Sequence, residues 1–427
     1  MSCKKAKIES SSKQRKRKSE KKPTSSQTKK KQNVSIVSLT SSIFGDQSSG
    51  ESLSSSIFGT NSSSSQAQDD LFGSSDRWQK VSENRVKKNT DSMLATCEED
   101  TPILSKAEIM KARTNRSKSK DAIDLTDSIT VHVPEMNNME HVKDEEKDEV
   151  CRSMNKIFTI QCDTLMRENG VVIIKSNDRM IAKNHMKSLT SQAGVIEDQI
   201  CSRLKEKGNI FHVSEGSTSI DSCISEKNRK MEQNHSFQYN EVASRCLGRL
   251  DIRYKMNEPP FSEDEVVSNK FIKPVVHSLL GKDAKLVYAG LILSFPLSAD
   301  QPFHQDGTAL FEDNEFPIHQ KLPPYALNVF IPLDDVTEEL GPTEFCVGSH
   351  YREEAIKVMK YLESGDEKSA KVIAPLLKTG DALIYDYRVC HRGTQNLAEK
   401  TRPMLYLMYS RPWFSEFINF SDEKLFC

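Results

Sequence analysis

The segment LVYAGLILSFP, Leu286–Pro296, decides the fold class, and the motif FHQDG, Phe303–Gly307, follows it after six residues. The segment is a long apolar run with β-branched and aromatic side chains, which is typical of a buried strand. Three similar runs follow, separated by loops rich in Pro, Gly and Asp. The predicted strands are Lys285–Phe295, Tyr325–Leu333, Asp381–Tyr387 and Arg402–Ser410, with a helix-like insert at Tyr351–Leu362. Several strands separated by turns predict a sandwich or jelly-roll core.

The part of the chain before these strands predicts one further strand and a long helix. Gly170 is followed by Val171–Ile174, which has the pattern of a buried strand. An apolar residue then recurs every three or four positions, so that one face of a helix is apolar, and Gly208 ends this helix. The apolar face comprises Met186, Leu189, Ala193, Ile196, Ile200 and Leu204.

A second helix is predicted from its end signals. Ser262 and Glu265 have the spacing of a capping box, in which each side chain accepts a hydrogen bond from the backbone N–H of the other residue. Pro274 is expected to kink this helix and Gly281 to end it. Residues 149–427 are therefore expected to form one domain that is mainly β, with helices packed on one side.

Residues 1–148 are expected to form a disordered tail. Serine, lysine, glutamine and asparagine dominate its first part, and no helical or strand period persists there. Such a composition buries too little apolar surface to offset the entropy of ordering the chain. The tail contains a short phenylalanine-glycine repeat around Phe44, Phe58 and Phe72, which is either low-complexity drift or a repeated docking peptide for protein partners. Ala122–Asp127 is a second candidate peptide, which could add as a strand to a partner's sheet.

A basic segment lies at the start of this tail. Met1–Lys31 carries thirteen Lys and Arg residues against Glu9 and Glu20, whereas the whole chain has a net charge of −1. Lys13–Lys22 reads as a nuclear-import signal, as an arm that attracts nucleic acid, or as a solvated charge run. Ten cysteines without CxxC or CxxxC pairs favour reduced thiols, and hence the nucleus or cytoplasm. No stretch has the roughly 20 apolar residues of a membrane span.

The motif FHQDG raises the question of a metal site. An isolated His-x-Asp is weak evidence, but His304 and Asp306 follow a strand that could present both side chains on one side. His391 is the best third ligand, because it follows the predicted strand Asp381–Tyr387. Two histidines and one carboxylate are the ligands of non-haem Fe(II) oxygenases, and catalytic zinc uses the same residue types.

Arg402 distinguishes an iron site from a zinc site. It lies eleven positions after His391, on the next predicted strand. A buried guanidinium can form two hydrogen bonds to one carboxylate of a molecule, while the other end of that molecule chelates the metal. This arrangement suits 2-oxoglutarate, so the sequence favours iron.

Four motifs in order resemble the phytanoyl-CoA dioxygenase-like family, whose members are Fe(II)/2-oxoglutarate oxygenases on a double-stranded β-helix. They are FHQDG, the stretch Asn328–His350, the stretch Gly380–Asn396, and the spacing from there to Arg402. The resemblance covers roughly Phe158–Phe414. It implies that His304, Asp306 and His391 hold Fe(II), and that Arg402 binds the remote carboxylate of 2-oxoglutarate.

The sequence departs from the family at the co-substrate pocket. Phe330 stands where many members have tryptophan beside 2-oxoglutarate, and Gly393 stands where some members have a serine. Thr394 is the candidate to supply the missing hydroxyl, so Phe330 and Thr394 join Arg402 as expected co-substrate residues.

The resemblance implies a hydroxylase that uses Fe(II), 2-oxoglutarate and O2, acts on a small molecule and releases succinate and CO2. The alternative is a non-catalytic interaction scaffold that retains the oxygenase fold and works through the repeats and basic segment of the tail. The complete ligand set favours the enzyme, because a scaffold does not need a metal triad with its arginine.

Overall fold

The computed structural model describes residues 105–135, 144–209, 211, 237–307, 310, 317, 319–416 and 420–426. The chain divides into two units, 1–74 and 75–427, and the described residues all lie in the second. The predicted phenylalanine-glycine repeats and the basic segment Lys13–Lys22 lie outside the described residues, so their roles stay predictions.

The described residues form eighteen helices and strands. The helices are α1 (Lys106–Ser117), α2 (Lys120–Ser128), α3 (Asp144–Asn169), α4 (Lys183–Glu206), α5 (Asp264–Val267), α6 (Ile272–Leu280) and α7 (Arg352–Glu363). The strands are β1 (Thr130–His132), β2 (Val171–Lys175), β3 (Val242–Cys246), β4 (Arg249–Ile252), β5 (Lys285–Ser294), β6 (Ala326–Pro332), β7 (Thr343–Cys346), β8 (Val372–Ile373), β9 (Ala382–Asp386), β10 (His391–Gly393) and β11 (Arg402–Ser410). No described helix is long and apolar enough to cross a membrane.

The strands form two sheets that pack against each other as a jelly roll, which confirms the predicted fold class. The large sheet has the order β1-β2-β9-β6-β11-β5-β4-β3, and the small sheet has the order β10-β7-β8. Side chains from both sheets meet in one apolar cluster, in which Tyr385 and Met404 of the large sheet pack with Phe345 and Ile373 of the small one. The space between the sheets is therefore the inside of the barrel.

Helices cover the opposite face of the large sheet. Along β11, Leu405 and Leu407 join the largest apolar cluster together with Leu189 and Ile196 of α4. Met404 packs on the other side, between the sheets. Because side chains alternate along a strand, one strand serves both layers. The apolar face predicted for α4 is confirmed, since all six of its residues are buried.

The folded part begins earlier than the predicted boundary at residue 149. Strand β1 pairs in parallel with β2, and α1 and α2 precede it. Ile129, Val131 and Val133 are buried against the domain. The edge of β2 would otherwise expose unpaired backbone groups, and β1 satisfies them. The prediction that residues 1–148 are disordered is corrected for 105–135 and for the start of α3, and Ala122–Asp127 lies in a helix, not a strand-adding peptide.

The predicted capping box does not form. The carboxylate of Glu265 accepts a hydrogen bond from the backbone N–H of Ala182 and pairs with Nδ1 of His185 (2.8 Å). The region consists of two helices, α5 and α6, in place of one kinked helix. Pro274 lies in the first turn of α6, where its missing N–H costs no helical hydrogen bond.

Candidate metal centre and co-substrate pocket

Two backbone segments that are distant in sequence bring the three predicted ligands together. His304 lies in the loop after β5, and His391 begins β10. Their backbones form an isolated bridge, with N···O distances of 2.9 and 2.8 Å in the two directions. One potential ligand atom from each of His304, Asp306 and His391 lies within 4.8 Å of the other two. The predicted triad therefore has the convergence that a metal site requires.

Both imidazoles are oriented by the backbone. Nδ1 of His304 lies 2.9 Å from the carbonyl oxygen of Pro302, and Nδ1 of His391 lies 3.0 Å from that of Val389. A proton on each Nδ1 donates to these carbonyls, so each Nε2 keeps a free lone pair. Such an outer hydrogen bond is the usual way in which a metal-binding histidine is fixed.

The separation of the Asp306 carboxylate from each imidazole fits one bound metal ion. Oδ1 of Asp306 lies 3.8 Å from Nε2 of His304 and 3.7 Å from Nε2 of His391. Two ligands with bonds of about 2.1 Å can be at most about 4.2 Å apart. Burial and then the neighbouring His391 lower the pKa of His304 to about 4, so its imidazole is neutral near pH 7. The neutral form is the one that binds metals.

Asp306 is held by its second carboxylate oxygen. Oδ2 accepts hydrogen bonds from Nδ2 of Asn328 (2.8 Å) and from the hydroxyl of Tyr385 (2.9 Å). Asn328 and Tyr385 lie directly opposite each other on β6 and β9. Burial and then the charge of Asp306 raise the pKa of Tyr385, which keeps its hydroxyl protonated as a donor. Oδ1 therefore remains available on the side of the histidines.

The sequence motifs did not identify Asn328 and Tyr385 as functional residues. The signal was present for Asn328, because a carboxamide in the otherwise apolar strand Ala326–Pro332 needs a buried partner. Tyr385 carried no such signal, since tyrosine is common in strands.

Aromatic side chains form the wall beside the triad. The ring of Phe345 stacks on His391 with centroids 5.7 Å apart, and the ring of Phe330 meets Tyr385 edge-on at 5.1 Å. A small cavity lies between the two sheets, lined by Phe330, Phe345, Thr343, Met404 and four aliphatic or proline side chains. The predicted co-substrate residue Phe330 is thus placed in the barrel next to the triad.

Arg402 is a buried cation whose contacts on the described residues are all neutral. It is 2% exposed, its Nη1 donates to the carbonyl of Gly341, and its Nη2 donates to the hydroxyl of Ser294 (3.0 Å). No described residue accepts a hydrogen bond from its Nε. Burial, then Arg249, then Arg113 lower the pKa of Arg402 to about 9. A buried guanidinium without a counter-charge is costly, so the arrangement calls for an anion.

The other predicted co-substrate residue, Thr394, lies in the same region. Its hydroxyl donates to the carbonyl of Pro342 (2.7 Å) and is buried. Its proton is therefore engaged with the backbone, and its role towards a co-substrate stays a prediction.

The chain is similar to one protein family and to several solved structures. The model of the phytanoyl-CoA dioxygenase family matches residues 166–404 of this chain. AviO1 from Streptomyces viridochromogenes Tue57 is 16% identical, with a TM-score of 0.38, over 60% of this chain and 95% of its own. EctD from S. alaskensis, solved with 2-oxoglutarate and 5-hydroxyectoine, is 14% identical, with a TM-score of 0.37, over 61% and 83%. The non-heme alpha-ketoglutarate-dependent carbocyclase SnoK from nogalamycin biosynthesis is 16% identical, with a TM-score of 0.37, over 58% and 82%.

Proposed function

Because the chain belongs to the phytanoyl-CoA dioxygenase family, an oxygenase family that uses Fe(II), 2-oxoglutarate and O2, we propose that it hydroxylates a C–H bond of a small organic substrate. The single observation that carries this proposal is the convergence of His304, Asp306 and His391 on one point. Two neutral imidazoles and one carboxylate leave Fe(II) with a net positive charge and three coordination positions for other ligands.

The same ligand types could hold catalytic zinc, and the surroundings favour iron. A zinc hydrolase needs one open position for water, but it has no use for a buried cation that lacks a counter-charge. Arg402 is such a cation, and it lies in the barrel that also contains the triad. A guanidinium of this kind suits a co-substrate that carries a second carboxylate away from the metal.

Each residue then has a defined task. His304, Asp306 and His391 would hold the iron, with Asn328 and Tyr385 fixing the carboxylate, and Arg402 would pair with the remote carboxylate of 2-oxoglutarate. Together with O2, the bound iron and 2-oxoglutarate supply the oxidative decarboxylation that yields succinate and CO2 and the oxidising power for hydroxylation.

The aromatic wall provides the remaining condition for controlled oxidation. Phe330 and Phe345 line the cavity between the sheets and keep it apolar. Exclusion of water protects a reactive centre from side reactions. The protein's own contribution is thus to position the reactants and to keep the site dry.

Succinate formation tests this function. The purified chain is given Fe(II), 2-oxoglutarate, ascorbate and O2, first alone and then with extracts of small molecules, and succinate and hydroxylated products are measured. We expect slow succinate release alone and faster release with an extract that contains the substrate. Asp306→Ala should reduce both by about 100-fold or more, and Asp366→Ala, which alters an exposed loop carboxylate, serves as the control. Absence of succinate from a protein that binds Fe(II) would refute the proposal.

We propose that the chain is located in the nucleus, directed there by Lys13–Lys22, with the cytoplasm as the alternative location. We also propose that the repeats around Phe44, Phe58 and Phe72 bind protein partners. Nucleic acid could also be attracted by the basic segment.

A further inference from the structure

Arg249 is a second buried arginine in the barrel, close to Arg402. We propose that Arg249 and Arg402 together bind the remote carboxylate of the co-substrate, so that this carboxylate is held by two guanidinium groups. The proposal rests on the proposed function. It assigns to Arg249 a binding role that the sequence motifs do not indicate, since Arg249 lies well before the motif that contains His304.

The sheet register places the two arginines on one side. Arg249 of β4 lies directly opposite Ser294 of β5, and Arg402 of β11 lies opposite the same Ser294 from the other side. Residues that face each other across neighbouring strands project to the same face of a sheet. The Nη2 of Arg402 reaches the hydroxyl of Ser294, and Met404, two residues further along β11, packs between the two sheets, so this row points into the barrel.

The guanidinium of Arg249 occupies the space that a side chain at position 393 would need. A Cβ atom added to Gly393 would lie 1.3 Å from Nη1 of Arg249. Gly393 lies in β10, two residues after the predicted ligand His391, and it is not among the glycines with a left-handed backbone. Its lack of a side chain is therefore explained by space. At the position where the resemblance implied a serine hydroxyl near the co-substrate, this chain has a guanidinium.

The charges at this end of the barrel are unbalanced. Arg249 is 2% exposed, and its acceptors among the described residues are all neutral oxygens, namely Oε1 of Gln301 (3.1 Å), the carbonyl of Thr394 (3.0 Å) and the carbonyl of Ala299 (3.3 Å). Neither its Nε nor that of Arg402 has a hydrogen-bond partner in the part of the chain that the structure describes. Burying a charge without an opposite charge is unfavourable, and two such charges near each other are more so. A carboxylate bound between them would remove this penalty.

The ligand class follows from this arrangement. A 2-oxo acid with a second carboxylate can satisfy both arginines while its 2-oxo acid end reaches the metal. A 2-oxo acid without the second carboxylate, such as pyruvate, leaves both guanidinium groups unpaired. Arg249 should therefore increase the preference for 2-oxoglutarate over pyruvate and have little effect on the metal.

Binding, and not turnover, is the appropriate measurement. The full chain is loaded with Mn(II), which replaces Fe(II) without redox chemistry, and 2-oxoglutarate and pyruvate are titrated by calorimetry. We expect Arg249→Gln to weaken 2-oxoglutarate binding about tenfold to a hundredfold, since it removes charge-assisted hydrogen bonds. Pyruvate binding should change less than about threefold. Arg253→Gln is the matched control, because Arg253 directly follows β4 and pairs with the carboxylate of Glu416.

A substitution that restores the hydroxyl gives an independent test. Gly393→Ser alone should displace the guanidinium of Arg249 and weaken 2-oxoglutarate binding. Combined with Arg249→Ala, it places a hydroxyl in the vacated space, and we expect the double variant to bind 2-oxoglutarate more tightly than Arg249→Ala alone. A double variant that is no better than Arg249→Ala contradicts the proposal.

The outcomes separate this inference from the proposed function. If the unaltered chain binds Mn(II) but not 2-oxoglutarate, the proposed function fails. If the unaltered chain binds 2-oxoglutarate and Arg249→Gln binds it equally well, only the role of Arg249 fails. An equal loss for 2-oxoglutarate and pyruvate, or a loss of Mn(II) affinity, would show that Arg249 supports the loop around Gln301 and does not bind the carboxylate.

Discussion

Tyr385→Phe removes one of the two hydrogen bonds that hold Asp306, and it changes no predicted metal ligand. The hydroxyl of Tyr385 lies 2.9 Å from Oδ2 of Asp306, and Nδ2 of Asn328 lies 2.8 Å from the same oxygen. A hydrogen bond to a charged group contributes about 1.5–3 kcal/mol, and about 1.4 kcal/mol corresponds to tenfold in affinity. Only the part that differs between the metal-bound and metal-free protein affects binding.

We therefore expect Tyr385→Phe to weaken metal binding about tenfold, within the range found when the outer hydrogen bond of a metal ligand is lost. Asn328→Leu should have a similar effect. Because Nδ2 of Asn328 also lies 2.9 Å from the hydroxyl of Tyr385, the two side chains form one network. The double variant should lose less than the product of the two single effects.

Calorimetric titration with Mn(II), or with Fe(II) under anaerobic conditions, measures these affinities. Tyr406→Phe is the matched control, because the hydroxyl of Tyr406 bonds to Asp251 (2.6 Å) and not to Asp306. Far-ultraviolet circular dichroism and thermal unfolding check that each variant is folded. If Tyr385→Phe is folded and binds Mn(II) within twofold of the unaltered chain, the hydrogen bonds to Oδ2 do not fix the ligand, and the reasoning fails.

Three further predictions concern stability. Arg402→Met should abolish 2-oxoglutarate binding and yet raise the unfolding free energy of the ligand-free chain by about 1 kcal/mol or more, because it removes a buried charge; a lower melting temperature would contradict this. Removal of residues 1–104 should leave thermal unfolding unchanged, whereas removal of 1–135 strips β1 and three buried side chains and should cost about 5 kcal/mol. If the chain that lacks residues 1–135 is soluble and as stable as the full chain, this assignment of the boundary is wrong. Glu197→Gln should stabilise the chain at pH 7, because burial raises the pKa of Glu197 and its ionised form is penalised in the folded state. This gain should disappear below about pH 4.5, where the carboxyl is protonated in both states, and a gain that is independent of pH would refute it.

The ligand types and the main strands could be predicted from the sequence because they depend on local order. The predicted strand Arg402–Ser410 has the observed bounds of β11, and the predicted Tyr325–Leu333 lies within one residue of β6 at each end. Period and side-chain type decide such elements within a short window. The candidate ligands followed from residue types whose chemistry is specific and whose neighbours were predicted strands.

The predictions that failed were those in which distant residues compete. Glu265 does not form the predicted capping box, because its carboxylate hydrogen-bonds to the backbone N–H of Ala182 and to Nδ1 of His185, about 80 positions away. Strand β1 was missed because a three-residue strand forms only when a neighbouring edge supplies its partners. Neither event leaves a periodic pattern in the sequence.

The sequence alone determined the chemical types at the centre: two imidazoles, one carboxylate and one guanidinium in a fixed order along the chain. Only the tertiary structure decided which groups support them. Arg249 reaches Gly393 across 144 positions of sequence, and Asn328 and Tyr385 meet Asp306 from two neighbouring strands. The reason is physical, since a hydrogen bond or an ion pair depends on distances in space, and strand register sets those distances between residues that are far apart in the chain.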